Sequence, residues 1–150
     1  MSKTAHLVLL LAFFLSPACS LFGDEDLSDF RQRRSQWEQQ GLSKYEYTLN
    51  VGCFCPYVGP VRIDVRADSV YRATLADTGL EIADPDSFNI ITIDGLFEVL
   101  QRALKEADDV EVDYDAQYGF PTRIAIDYYK NAVDDEVSYR ATDLQVPQVD

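Results

Sequence analysis

The chain has 150 residues and a formal net charge of −13, with 26 acidic residues against 13 basic ones. Such a balance excludes charge-driven binding to nucleic acid or to anionic lipid. The only histidine is His6 and the only methionine is Met1. A chain that starts after residue 18 therefore has no histidine-activated nucleophile, no histidine-bound zinc and no methionine copper site. We expect no catalytic residue, no metal and no cofactor.

The N-terminus has the features of a secretory signal peptide. Lys3 precedes an uninterrupted apolar run from Leu7 to Leu15, and no acidic residue occurs before Asp24. This run is long enough for the hydrophobic region of a signal peptide but falls well short of the ~20 apolar residues that span a bilayer. We predict that residues 1–18 are a cleaved signal peptide and that the mature chain is exported.

The predicted cleavage site places small residues at the −3 and −1 positions before Cys19. The segment Leu15 to Cys19 also resembles a bacterial lipobox, although Pro17 and the position of Leu15 depart from that pattern. Ordinary signal peptidase and the peptidase that recognises a lipobox would both cut the Ala18–Cys19 bond. An exposed N-terminal thiol is reactive, whereas a diacylated cysteine is a stable membrane anchor. We predict lipidation of Cys19, with Ser20 favouring the outer membrane of a Gram-negative cell; simple secretion or a periplasmic location is the alternative.

The mature chain is short enough to form one domain. Residues 19–27 are predicted to be an acidic tether, and residues 28–146 a single α+β domain. A first helix follows the tether, with Asp26 or Ser28 as its N-terminal cap and Gly41 just beyond its end.

Alternation of apolar and polar residues predicts three strands in the first half of the domain. They run from Lys44 to Cys55, from Val61 to Val65 and from Val70 to Leu75. The segment from Pro56 to Pro60 separates the first two strands, and Asp77 to Asn89 is predicted to be a long loop.

The second half repeats the order of helix and three strands. Apolar residues at helical spacing predict a helix from Ile93 to Ala107, with Thr92 as its cap. Strands are predicted around Val110–Tyr114, Ile124–Tyr128 and Val137–Ala141. The order α-β-β-β-α-β-β-β with one apolar face per strand predicts a two-layer sandwich, in which an antiparallel sheet of about six strands has both helices on one face.

The other face of this sheet is predicted to be polar and to carry cross-strand charge pairs. Its residues are Arg62, Asp64, Arg66, Arg72, Glu111, Asp113, Arg123, Asp127 and Arg140.

Cys53 and Cys55 flank Phe54 and precede Pro56. In a flat strand the Cα atoms of such a pair are ~6.5–7 Å apart, at the limit for a disulfide, and a bulge before Pro56 would bring them closer. Three interpretations stay open: a structural disulfide, two buried unpaired thiols, or a redox or metal-binding pair.

Two further patterns bear on binding. Asp113–Gly119 departs from an EF-hand loop in the position of its glycine, so that site is rejected; Asp127 with Asp134–Glu136 could gather around calcium, although a solvated hairpin tip is favoured. Most tyrosines fall on apolar strand faces, which indicates a core role. The tyrosines that are better candidates for an exposed binding patch are Tyr57, Tyr71, Tyr118 and Tyr129.

Eight motifs are distributed over the predicted domain: Trp37, Tyr45-Glu-Tyr47, Cys53-Phe-Cys55-Pro56, Val61–Val65, Thr92–Phe97, Tyr114–Pro121, Ile124–Asp127 and Asp135-Glu136. Taken together they resemble an uncharacterised family of bacterial secreted proteins and lipoproteins. The resemblance covers roughly residues 30–142 and implies an envelope location, but it implies no activity and no catalytic residue.

Two functional hypotheses follow. The first is a non-enzymatic, lipid-anchored envelope protein that binds a protein or ligand through its polar sheet face or through the Tyr57–Pro60 loop. The second is a thiol-redox or metal-handling protein that uses Cys53 and Cys55.

Overall fold

The computed structural model describes residues 24–54 and 59–147. Within them, two helices and six strands follow the predicted order of helix, three strands, helix, three strands. The elements are α1 (Asp24–Glu38), β1 (Lys44–Gly52), β2 (Val61–Arg66), β3 (Ser69–Leu75), α2 (Ile93–Glu106), β4 (Asp109–Tyr114), β5 (Pro121–Asp127) and β6 (Val137–Gln145). Neither α1 nor α2, the two α-helices of the described residues, has the length and hydrophobicity of a transmembrane span.

The strands form one antiparallel sheet in the order β3-β2-β1-β6-β5-β4. The first and last strands of the chain therefore lie at the centre of the sheet, and β3 and β4 lie at its edges. Both helices pack on the same face, since Phe30 of α1 meets Phe97 of α2 edge to face, with ring centroids 6.1 Å apart. The predicted α+β sandwich is confirmed.

Helix α2 matches its prediction closely. Its apolar residues face the sheet, and the Thr92 hydroxyl accepts a hydrogen bond of 3.1 Å from the backbone N–H of Gly95, as expected for an N-cap. Its buried residues are Ile93, Leu96, Phe97, Leu100, Ala103 and Leu104.

Three polar contacts attach the two helices to β1 and to each other. The buried Tyr45 hydroxyl accepts a hydrogen bond of 3.0 Å from the backbone N–H of Ile93, and the buried Tyr47 hydroxyl donates to the carbonyl of Ile91. Trp37 of α1 donates from Nε1 to the Asp94 carboxylate at 3.2 Å. We call these contacts the anchor network, because they hold the first turn of α2 against β1 and α1.

Two predicted boundaries are wrong. Helix α1 already contains Asp26 and Ser28, so neither caps it, and residues 24–27 are helical rather than part of a tether. Acidic residues are stabilised at a helix N-terminus, which lets the acidic segment continue the helix. Strand β1 ends at Gly52, and Cys53 lies in a bend after it. Gly41 follows α1 with a φ of +61°, as expected at a helix end.

The predicted loop from Asp77 to Asn89 is largely irregular in the structure. It contains an isolated bridge between Glu81 and Thr74 and a short 3₁₀ turn at Asp86–Phe88. The bridge lies beside the edge strand β3, so it extends the sheet on that side by a single contact.

The β4–β5 hairpin is held against α1 at Gly119. This glycine has a φ of +83°, and a Cβ added to it would lie 2.8 Å from the carbonyl oxygen of Arg33. Gly79 has a similar φ of +72° but has nothing within 4 Å of an added Cβ. Replacing each glycine with alanine therefore distinguishes the cost of the left-handed backbone, which both positions share, from the cost of the close contact, which only Gly119 makes.

We predict that Gly79→Ala lowers the free energy of unfolding by about 1–2 kcal/mol, the cost of a left-handed alanine. Gly119→Ala should lower it by a further 1–3 kcal/mol, roughly the range for overpacking, because α1 and the hairpin must separate. Urea denaturation of both variants measures the difference. Equal losses would show that the hairpin does not depend on this close approach.

The anchor network also predicts a dependence of stability on alkaline pH. Burial raises the pKa of Tyr45 and of Tyr47 above the ordinary tyrosine value. Above about pH 10 the unfolded tyrosines lose their protons while the folded ones keep them, so the unfolded state binds fewer protons. The contribution of these two tyrosines to the free energy of unfolding is therefore complete below about pH 10 and decreases as the pH rises above it.

The variant Tyr47→Phe tests whether the buried tyrosines cause this loss of stability at alkaline pH. It should lower stability at pH 7 by roughly 1–3 kcal/mol, because the Ile91 carbonyl loses its hydrogen-bond partner. The alkaline loss of stability should become shallower, because one ionising group is gone. Tyr129→Phe, at an exposed tyrosine, is the control. Denaturation at pH 7 and pH 11 measures both effects, and an unchanged alkaline slope in Tyr47→Phe contradicts the assignment.

Candidate functional site

The face of the sheet opposite the helices is uncovered in the described part of the chain, and we call it the open face. Its predicted cross-strand charge pairs are present. Arg123 of β5 contacts Glu111 of β4 at 2.9 Å, and Arg62 of β2 lies 3.9 Å from Glu46 of β1. These side chains are largely exposed, so each pair contributes only ~0–1 kcal/mol to stability.

A cavity of about 510 Å³ opens on this face where β1 ends and β6 begins. We call it the open-face cavity. Its floor consists of Gly52, Ser138 and Ala125, which the strand register places side by side: Gly52 is opposite Ser138, and Ser138 is opposite Ala125. Small side chains at three neighbouring positions leave a depression among longer ones. The volume lies within the roughly 300–1,000 Å³ of ligand pockets.

One wall of the open-face cavity is the bend that follows β1. Cys53 and Phe54 both line it, and Phe54 has 81% of its side chain exposed. A phenylalanine this exposed leaves apolar surface in water, which is unfavourable unless something covers it. The wall therefore offers an aromatic contact beside the small floor.

Acidic residues surround the rest of the cavity opening, and we call them the rim. The rim comprises Asp109, Glu111, Asp127, Asp134 and Glu136. Asp109 of β4 is directly opposite Asp127 of β5 in the strand register, an arrangement of like charges that destabilises a sheet. Within the described residues only Glu111 of this rim forms an ion pair, with Arg123. Four of the five rim carboxylates thus have no ion-pair partner within the described residues.

Among the described residues that line the open-face cavity, Ser138 carries the only hydroxyl. In residues 24–54 and 59–147 that hydroxyl has no hydrogen bond to a carboxylate that could activate it. In the same residues no group of three or more histidine, cysteine or carboxylate side chains could hold a metal ion. Asp135, a member of the candidate calcium group, accepts a hydrogen bond of 2.7 Å from the backbone N–H of Tyr129.

The structure brings Cys53 into the cavity wall, but several predicted site residues lie outside the described residues. These are Cys19, Cys55 and Tyr57.

The remaining tyrosine candidates are far apart. Tyr71 lies on β3, where Arg66 stacks over its ring at 3.8 Å, whereas Tyr118 lies in the β4–β5 hairpin and is half-buried. Strands β3 and β5 are four positions apart in the sheet, roughly 19 Å at the usual strand spacing. Tyr129 follows β5 at its opposite end from Tyr118. Tyr71, Tyr118 and Tyr129 therefore do not form one patch.

The cavity floor was not predicted from the sequence. Gly52, Ala125 and Ser138 occupy outward-facing strand positions where neighbouring outward positions carry charged or long polar side chains, and that contrast is the signal that could have identified them. A Cβ on Gly52 would lie 2.6 Å from the Ser138 hydroxyl oxygen, so a larger residue at position 52 would require the Ser138 side chain to rotate away.

A second, smaller cavity lies at the junction of α1 and α2. Its volume is about 380 Å³, and Trp37, Leu42, Asp68 and Asp94 are part of its lining. Burial raises the pKa of the Asp94 carboxyl above its usual value, although the hydrogen bond from Trp37 opposes this. Because Asp94 belongs to the anchor network, we assign this cavity to the structure of the helix junction rather than to a binding site.

The fold and the cavity together define a two-layer α+β domain that has an acidic pocket on the open face of its sheet. The chain belongs to a family of unknown function (DUF6174), whose match covers residues 29–146 and so includes all elements of the domain except the start of α1. No curated protein and no solved structure matches the chain.

Proposed function

We propose that this protein is a non-enzymatic lipoprotein of the cell envelope that binds a protein or ligand through the open-face cavity. The observation that carries the proposal is a cavity of ligand size on a sheet face that no described element covers. The aromatic wall at Phe54 also favours a binding role, as does the acidic rim, in which only Glu111 has an ion-pair partner within the described residues.

The envelope part of the proposal rests on the sequence. The signal peptide over residues 1–18 and the lipidation of Cys19 would attach the chain to a membrane through its N-terminus. Only a few residues separate Cys19 from the start of α1 at Asp24. Even fully extended they span about 18 Å. The domain would therefore act close to the membrane surface.

We also propose that Cys53 and Cys55 form a disulfide. Because β1 ends at Gly52, Cys53 lies in a bend rather than in a flat strand. The separation of ~6.5–7 Å that a flat strand would impose on the two Cα atoms therefore does not apply. Such a bridge would constrain the backbone around Phe54 and stiffen the cavity wall.

The second candidate function is thiol-based redox chemistry at this pair. It is favoured by the position of Cys53, which lines the cavity and is only half-buried. A bound partner would then contact the reactive cysteine directly.

Mass spectrometry of the native protein extracted from membranes tests anchoring and pairing together. We expect a chain that begins at Cys19 and carries acyl groups. Alkylation should leave Cys53 and Cys55 unmodified until a strong reductant is added. A chain without acyl groups contradicts the lipoprotein assignment. Alkylation of both cysteines without reductant contradicts the disulfide, and release by mild reductant alone favours the redox function.

Partner capture tests the binding role of the cavity. The full chain with a C-terminal tag is crosslinked in envelope extract, next to the variants Ala125→Leu and Thr142→Leu. Ala125→Leu fills the floor, whereas Thr142→Leu places the same side chain on an exposed position of β6 outside the cavity. We expect a specific partner with the wild type and Thr142→Leu, and its loss by about tenfold or more with Ala125→Leu. No specific partner, or equal capture by both variants, contradicts the proposal.

A further inference from the structure

We infer that the occupant of the open-face cavity is an arginine side chain presented by a partner protein. This inference rests on the proposed binding function and specifies the chemistry of the partner.

The charge of the rim differs from the charge of the rest of the open face. On β1 and β2, Glu46 and Asp64 are each paired with an arginine of the same sheet, Arg62 and Arg66. In the rim, Asp109, Asp127, Asp134 and Glu136 have neither an ion pair nor a side-chain hydrogen bond within the described residues. The open face is therefore electrostatically balanced at one end and strongly negative around the cavity. A cationic partner complements the negative end.

The strand register gives a second reason to expect a cationic partner. Asp109 and Asp127 face each other across β4 and β5, where oppositely charged or uncharged pairs are favourable and like charges are not. Neither carboxylate has an ion-pair partner within the described residues, so a positive group between or above the two would pair with both.

The walls favour a guanidinium group over other cations. A metal ion needs several ligands around one point, and no such group of three exists in residues 24–54 and 59–147. The small floor of Gly52, Ala125 and Ser138 accepts a flat group, and the exposed Phe54 ring offers an apolar face beside the carboxylates. Arginine is planar, weakly hydrated and bidentate, and it stacks on aromatic rings, whereas the lysine ammonium is a compact and strongly hydrated charge.

The occupant is a protein segment rather than a free small cation. The cavity opens across the exposed face of a sheet, and the exposed Phe54 and Glu136 border it at the surface. A segment that inserts an arginine can cover these neighbours with its backbone and flanking residues. A free cation could fill the cavity but would leave the Phe54 ring in water.

Binding of an end-blocked peptide, Gly-Val-Arg-Val-Gly, to the full chain tests the inference. Chemical shift changes in NMR spectra give both the affinity and the site. Two matched peptides replace the arginine with lysine or with citrulline, a neutral analogue of the same shape. We expect shifts centred on Ala125 and Ser138. Binding should weaken about tenfold or more with citrulline, which loses the charge, and by a smaller factor with lysine.

Protein variants separate the cavity from the net charge of the chain. Asp127→Asn/Glu136→Gln removes two rim charges, and Asp77→Asn/Glu106→Gln removes two exposed charges elsewhere that also make no ion pair. The first pair should weaken the arginine peptide about tenfold or more and the second less than about twofold. Phe54→Leu should abolish the preference for arginine over lysine.

Equal effects of the two charge pairs would overturn the inference, because attraction would then follow net charge alone. Equal binding of the citrulline peptide would overturn the role of charge, and spermidine binding more tightly than the peptide would overturn the choice of a protein segment. If Ala125→Leu abolishes partner capture but Asp127→Asn/Glu136→Gln does not, the proposed binding function stands and the arginine assignment is wrong.

Discussion

The need of two buried tyrosine hydroxyls for hydrogen-bond partners determines where α2 lies. A buried hydroxyl without a partner costs ~1–3 kcal/mol, and Tyr45 and Tyr47 of β1 find their partners in the backbone around Ile91 and Ile93. That backbone is the entry to α2, so the helix begins over β1 and continues across the same face of the sheet. Trp37 joins α1 to the same point through Asp94.

The open face is a consequence of this arrangement. Both helices are attached to one side of the central strand, so no described helix covers the other side. The same strand that carries Tyr45 and Tyr47 at its start ends at Gly52, in the floor of the cavity. Strand β1 thus runs from the anchor network in the core to the floor of the open-face cavity. A partner that binds there meets a floor held by the core rather than by a loop.

Much of the fold was predictable because it depends on local periodicity. The alternation from Lys44 onward and the 3–4 spacing in α2 identify their elements, and Thr92 identifies the start of α2. The start of α1 was missed because acidic residues both cap helices and extend their first turn. The cavity was missed for a different reason. Gly52 and Ser138 become neighbours only through the pairing of β1 with β6, and local patterns do not encode which distant strands pair.

The pairing of β1 with β6 has a further consequence for how the domain is completed. Each three-stranded half is built from neighbouring segments, but the seam between the halves joins the first strand to the last. Contacts between distant segments form late because a long loop must close first. Strand β6 therefore occupies the centre of the sheet although it is made last. A chain that stops before Val137 loses a central strand rather than an edge strand. Its sheet is divided into a three-stranded fragment (β3-β2-β1) and a two-stranded fragment (β5-β4). The cavity floor is lost as well, because Ser138 of β6 lies between Gly52 and Ala125.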